Sequence, residues 1–281
     1  MKTALLMALL TALLSLIGDY FGGLEGFTTM FVISVAMNLF VYWNCDKMVL
    51  SQYHAIKVDE KTAPGLYGTV KKLATRAGLP MPGVYIVNDS TPNAFATGRN
   101  PEHAVVCVNK GLAEMLSQEE MEGVLSHELT HIKNRDILIS TVAATMAGMI
   151  ATVARWGMFF GGGRDEDGNS RNPIFGILIM ILAPLAAGLI QMAISRSREY
   201  KADEGGGNIC GNPNALADAL LKIEAYARNA VRPMAYATES TAHMFIINPF
   251  SGKDLKNLFS THPATAERVK LLREQARRMS A

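Results

Sequence analysis

The sequence predicts a mainly α protein with a small β-sheet (α+β), joined to four transmembrane helices in two hairpins. Three observations lead there: four long uncharged stretches, β-rich runs confined to one polar segment, and helix signals in both polar segments. The chain has 281 residues, of which 49% are hydrophobic and only 19% charged, and its mean hydropathy is +0.14. That is too apolar for a disordered chain and unusual for a soluble one. Lys plus Arg number 27 against 25 Asp plus Glu. A net charge of +2 without a block of like charges gives no reason to expect a nucleic-acid partner. Cys45, Cys107 and Cys210 are odd in number, far apart and outside any C-x-x-C pair. This fits a reduced compartment and argues against a disulfide framework or a thiolate metal site.

The apolar stretches set the layout. Residues 3–18 lie uncharged between Lys2 and Asp19, and residues 26–45 between Glu25 and Asp46. Residues 137–154 run from Asp136 to Arg155, and residues 172–195 from Arg171 to Arg196. A bilayer core of about 30 Å takes roughly 20 apolar residues in a helix. The second and fourth stretches meet that length; the first does if it continues toward Leu24, and the third if Arg155 snorkels and the span reaches Phe160. A cleaved signal peptide competes for the N-terminus, but no small-x-small cleavage site follows and a second span arrives almost at once. The division is therefore 1–46, first hairpin; 47–136, first part of a polar domain; 137–195, second hairpin; 196–281, the remainder of that domain. Lys2, Lys47, Lys133, Arg135, Arg196 and Arg198 flank the spans on one side, which the positive-inside rule makes cytoplasmic, with both termini there.

Within the polar segments, 64–77 reads as a helix with Leu66, Tyr67, Val70 and Leu73 along one side. Residues 83–87 and 104–108 are short β-rich runs, and Asn93-Ala-Phe-Ala-Thr97 is a candidate third strand. Ser117-Gln-Glu-Glu120 is a capping box that opens a helix. Asn212-Pro213 starts another helix, to about Asn229, and Thr261-His-Pro263 opens a final amphipathic one. Residues 231–260 show no sustained period, as for a lid or a loop with short helices.

The helix from Ser117 carries His127-Glu128-Leu129-Thr130-His131. Histidines at i and i+4 share a helix face, so both imidazoles can bind one metal, and Glu128 is placed to act as base on a water there. Zinc needs a third protein ligand. Glu199 and Asp203, again at i and i+4, follow the fourth span. Glu199 can complete a His-His-Glu site for one catalytic Zn2+, while Asp203 accepts the second ring N–H of a ligating histidine. The same stretch also reads as a charged turn anchoring the span through Arg196, Arg198 and Lys201. Glu119, Glu120 and Glu122 precede the motif and Lys133, Arg135 and Asp136 follow it, so burial in hydrocarbon would be costly and the site belongs in water. His131 precedes Ile137 by six positions, which places the metal just above the membrane surface if the helix continues unbroken. The chemistry implied is metal-assisted amide hydrolysis in a zincin-like domain split by the second hairpin.

Other residues leave two readings open. Asn93, Ala94 and Phe95 could form an edge strand that pairs with substrate backbone, or a plain core strand. His262 and Arg268 could stabilise an oxyanion, or serve as a helix-start residue and an ion-pair partner. His54, His103 and His243 read as packing or surface residues, and the 16 methionines as adaptable packing.

His127-Glu-Leu-Thr-His-Ile-Lys-Asn-Arg-Asp136, Ser197-Arg-Glu-Tyr-Lys-Ala-Asp203, Pro92-Asn-Ala-Phe-Ala-Thr-Gly98 and Ser260-Thr-His-Pro-Ala-Thr-Ala-Glu-Arg268 together resemble the HtpX heat-shock proteases. These are membrane-embedded zinc endopeptidases related to the CAAX prenyl proteases, and the resemblance covers nearly the whole chain. It implies His127, His131 and Glu199 as zinc ligands, Glu128 as base and Asp203 behind the ligands. It also implies quality control of membrane-protein or unfolded-protein substrates under stress, in a bacterial inner membrane. A prenyl-protein protease and a non-catalytic zinc scaffold are the alternatives. One departure is Glu204-Gly-Gly-Gly207, where the family usually has small residues including Ala.

Overall fold

A computed structural model describes residues 2–148, 195–229, 244–246 and 263–281. Residues 149–194, with the end of the third apolar stretch and all but the last residue of the fourth, lie outside the described residues, as do His243 and His262.

Helix α1 (Lys2–Gln52) breaks at Gly23, whose φ of 56° is a left-handed value that glycine adopts without strain. The break folds the first two apolar stretches into a hairpin. Gly18 and Gly26 meet so closely that a Cβ on either would strike the other's carbonyl. Farther along, Asn38 clasps the opposite arm, donating to Met7 O (3.1 Å) and to Thr11 Oγ1 (2.8 Å). Tyr20, Leu24, Phe31 and Val32 face outward. Two helices here are long and apolar enough to span a bilayer, Thr3–Tyr20 and Gly22–Gln52. The second arm runs on past the membrane length and carries Val49, with Tyr53 just beyond it, onto Phe95 and Cys107 of the sheet.

The sheet has four strands: β1 (Ile56–Val58), β2 (Gly83–Val87), β3 (Ala94–Gly98) and β4 (Ala104–Asn109). Their order is β1-β2-β4-β3, with β2 and β4 parallel and both outer pairs antiparallel. β3 is thus an edge strand. Helix α2 (Pro64–Ala77) crosses from β1 to β2 and buries Val70, Leu73 and Ala74, and α3 (Lys110–Met115) follows β4.

Helix α4 (Gln118–Lys133) begins on the expected capping box, in which Ser117 Oγ accepts from Glu120 N (3.3 Å) and Glu120 Oε2 from Ser117 N (2.8 Å). It does not run unbroken into the third apolar stretch. Asn134 caps it, Arg135 takes a φ of 59°, and a new helix, α5 (Ile137–Gly148), starts at once. Val142 and Met146 of α5 pack on Leu10, Val41 and Cys45 of the first hairpin, and Thr141 Oγ1 bonds Thr97 Oγ1 of β3 (3.0 Å).

Helix α6 (Arg196–Cys210) lies against α4, followed by α7 (Pro213–Asn229) and α8 (Thr265–Ser280). The Gly205-Gly206-Gly207 run explains the closeness of α4 and α6. A Cβ on Gly206 would come within 2.9 Å of His127 N, and one on Gly205 would strike Thr130. The glycines therefore let two helices meet backbone to backbone where the site residues are.

Candidate metal centre

Helix α4 presents His127 and His131 one turn apart, and α6 presents Glu199 from across the glycine contact. The two Nε2 atoms lie 3.2 Å apart. Glu199 Oε2 is 3.7 Å from His127 Nε2, and its Oε1 is 3.6 Å from His131 Nε2. Tetrahedral zinc with ligand bonds of about 2.0–2.1 Å holds its ligand atoms about 3.3 Å apart. The donor set fits such an ion, and three donors leave a fourth position for water or substrate.

Two carboxylates stand behind the imidazoles. Asp203 Oδ1 is 2.9 Å from His127 Nδ1, although the ring N–H is not aligned on that oxygen as the ring now stands. Asp136 Oδ2 is 3.4 Å from His131 Nδ1. Asp136 is a member of the site that the sequence did not suggest. The left-handed turn at Arg135 folds it back so that its own N–H bonds His131 O (2.9 Å), and nothing in the local pattern foretells that turn.

The charges agree with a cation site. Burial alone would lower the His131 pKa, but Asp136, Glu199 and Glu128 outweigh it and lift it to about 9. A proton on His131 answers the surrounding carboxylates, and a metal ion would take its place. His127 goes the other way: burial lowers it, against the pull of Asp203. Burial pushes the Glu128 carboxyl up to about 7, with Glu199 adding to the rise. One of its oxygens, Oε2, accepts the Ala96 N–H at 2.8 Å, so edge strand β3 touches this carboxylate directly.

Arg268 is 1% exposed. Its Nε and Nη2 grip both oxygens of Asp203 at 2.7 Å, and Nη1 donates to Ile246 O at 3.0 Å. Burial would push the Asp203 carboxyl up, but this guanidinium holds it down at about 2. Of the two roles open to Arg268, the ion pair is the one its bonds serve. Asn93 and Phe95 differ from the expectation that they meet substrate backbone. Asn93 O accepts from Asn109 N (2.9 Å), so by alternation the main chain of both residues turns toward β4, and that of Ala94 and Ala96 turns to the free edge. Phe95 packs on Tyr53, ring centroids 4.8 Å apart, and the Asn93 side chain is wholly buried.

The chain is similar to known proteins. The model of peptidase family M48 matches residues 60–276. The chain is 57% identical over 276 residues to the protein named Protease HtpX homolog of Paraburkholderia phytofirmans, covering 98% of this chain and 96% of that one. The protein of the same name in Burkholderia thailandensis gives the same identity and coverage. Among solved structures, the crystal structure of S. mikatae Ste24p matches with a TM-score of 0.52 at 17% identity. That alignment covers 93% of this chain and 61% of the other, and the likeness is one of fold.

Proposed function

The chain belongs to peptidase family M48, among the HtpX membrane metalloproteases, and on that premise we propose that it is a zinc endopeptidase acting at the cytoplasmic face of a bacterial inner membrane. The substrates are misfolded or damaged membrane proteins and unfolded segments near the bilayer. The observation that carries this reading is the meeting of His127, His131 and Glu199 donors with Glu128 buried beside them and held by β3.

His127, His131 and Glu199 would hold the ion. When bound, it polarises the scissile carbonyl and acidifies the attacking water. Glu128 takes the proton of that water and later delivers it to the leaving amine. Because the Ala96 N–H occupies Oε2, Oε1 is left to face the water. The outward main chain of Ala94 and Ala96 offers an extended substrate a strand to lie along, as peptidases commonly do.

Four spans, with the second hairpin formed by 137–195, complete the proposed topology. The packing of α5 on the first hairpin and on β3 supports a hairpin built into the active-site scaffold. A CAAX-type prenyl protease is the alternative enzyme, though no described residue marks a prenyl pocket. A non-catalytic zinc scaffold has no use for Glu128.

The test is Glu128→Gln in the full-length, detergent-solubilised protein. It is expected to keep one zinc per chain and lose cleavage of casein. Cleavage at the wild-type rate would overturn the mechanism. The same variant also serves to trap natural substrates.

A further inference from the structure

The short segment 244–246 is buried at all three positions, yet among the described residues it belongs to no sheet or α-helix that could satisfy its main chain. Both polar groups of Ile246 are met by side chains from distant elements. Its N–H donates to Asn93 Oδ1 (3.1 Å), at the start of β3. Its carbonyl accepts from Arg268 Nη1 (3.0 Å), on α8. Buried main-chain groups need partners, but two neutral side chains would do. Here one partner is the guanidinium that grips Asp203, the carboxylate behind His127. The other opens the strand whose Ala96 N–H holds Glu128. Followed round, these contacts close a circuit: Asp203 beside His127 (2.9 Å), then Arg268, Ile246, Asn93, β3, Glu128, and back along α4 to His127.

We propose that Asn93 and Arg268 are positioning residues that act through the Ile246 peptide, so that this one unit ties the orientation of a metal ligand to the strand that holds the base. The Asp203–Arg268 pair fixes its two groups to each other, but without a hold on Nη1 they are free to shift together. Asn93 removes that freedom by holding the carbonyl's own residue in place. Segment 244–246 is then a fixed beam beside the site. This rests on the metal site proposed above.

The experiment measures zinc affinity of the full-length protein by chelator competition, together with the visible absorption of the Co2+-loaded form. Asn93 touches none of the metal ligands in the bonds described. Direct partners of metal ligands are worth about 10- to 100-fold in affinity; one link farther out, Asn93→Ala is expected to weaken zinc binding about 3- to 10-fold and to shift the cobalt bands. Asn93→Asp keeps an acceptor for the Ile246 N–H and is expected to stay within about twofold of wild type. Asn93→Ser, too short to reach Ile246, carries the test if Asn93→Ala does not fold, with the same weakening expected. Unchanged zinc affinity and cobalt bands in Asn93→Ala or Asn93→Ser would overturn the proposal, even if stability fell, and so would an Asn93→Asp variant as weak as Asn93→Ala. A wild-type protein that binds no zinc would overturn the functional reading itself, which is a distinguishable result.

Discussion

The main-chain N–H of Ala96 donates to Oε2 of Glu128 at 2.8 Å, joining the edge of the sheet to the carboxylate proposed as the base. In an edge strand such a donor usually faces solvent or another chain. Here it faces a buried carboxylate, so the edge strand sets the position of Glu128.

Ala96→Pro deletes that donor alone. The Ala96 N–H takes no part in the ladder with β4, and proline is tolerated on a free edge. A hydrogen bond to a charged group contributes about 1.5–3 kcal/mol, so kcat is expected to fall about 10- to 100-fold with zinc content and KM nearly unchanged. Steady-state kinetics on one fluorogenic peptide checks this, and an unaltered kcat would show that Glu128 needs no help from β3.

Gly206→Ala puts a methyl group against His127, its Cβ 2.9 Å from His127 N. Overpacking costs about 1–3 kcal/mol, and here it pushes α6 away from α4, drawing Glu199 from the two histidines. The expected outcome is a lower Tm together with weaker zinc binding. Retention of full zinc affinity would mean that the helix contact does not set the site.

Asp203→Asn leaves Arg268 buried without its counter-charge and His127 without its carboxylate. Breaking a buried pair costs about 3–5 kcal/mol, and losing the partner of a ligating histidine costs about 10- to 100-fold in metal affinity. A double change, Asp203→Leu with Arg268→Met, is expected to recover Tm but not zinc binding. Calorimetry and chelator competition separate the two effects.

Glu120 links two elements, capping α4 and meeting Lys222 Nζ of α7 at 2.8 Å. Burial pushes its carboxyl up, but Lys222 and Ser117 outweigh that and hold it below its ordinary 4.5. A lowered folded-state pKa contributes stability that is complete above the unfolded value and is lost as pH falls through the folded one. Glu120→Gln should therefore melt below wild type at pH 7, with the difference closing as the pH falls below the ordinary carboxylate range. A difference that persists in acid would rule out charge as its source.

Much of this site is legible in the sequence because helices repeat. The capping box at Ser117 fixes the start of α4, and i, i+4 spacing then puts His127 with His131 and Glu199 with Asp203. What is not legible comes from turns and from long-range contacts. Asp136 joins the site only because Arg135 takes a left-handed conformation. The bond from Ile246 to Asn93 spans 153 positions, and no local pattern records it. β1 has three residues, too few for a period to show. In three dimensions Gly205 and Gly206, just after Glu204, are what bring α6 onto α4.

The most direct test of the metal centre is X-ray absorption at the zinc edge on the full-length protein, compared with Glu199→Ala. The expected result is one zinc per chain with two imidazole nitrogens and oxygen ligands at about 2.0–2.1 Å, and loss of tight binding in Glu199→Ala. Sulfur in the zinc shell, or a spectrum and affinity that Glu199→Ala leaves unchanged, would contradict a site built from His127, His131 and Glu199.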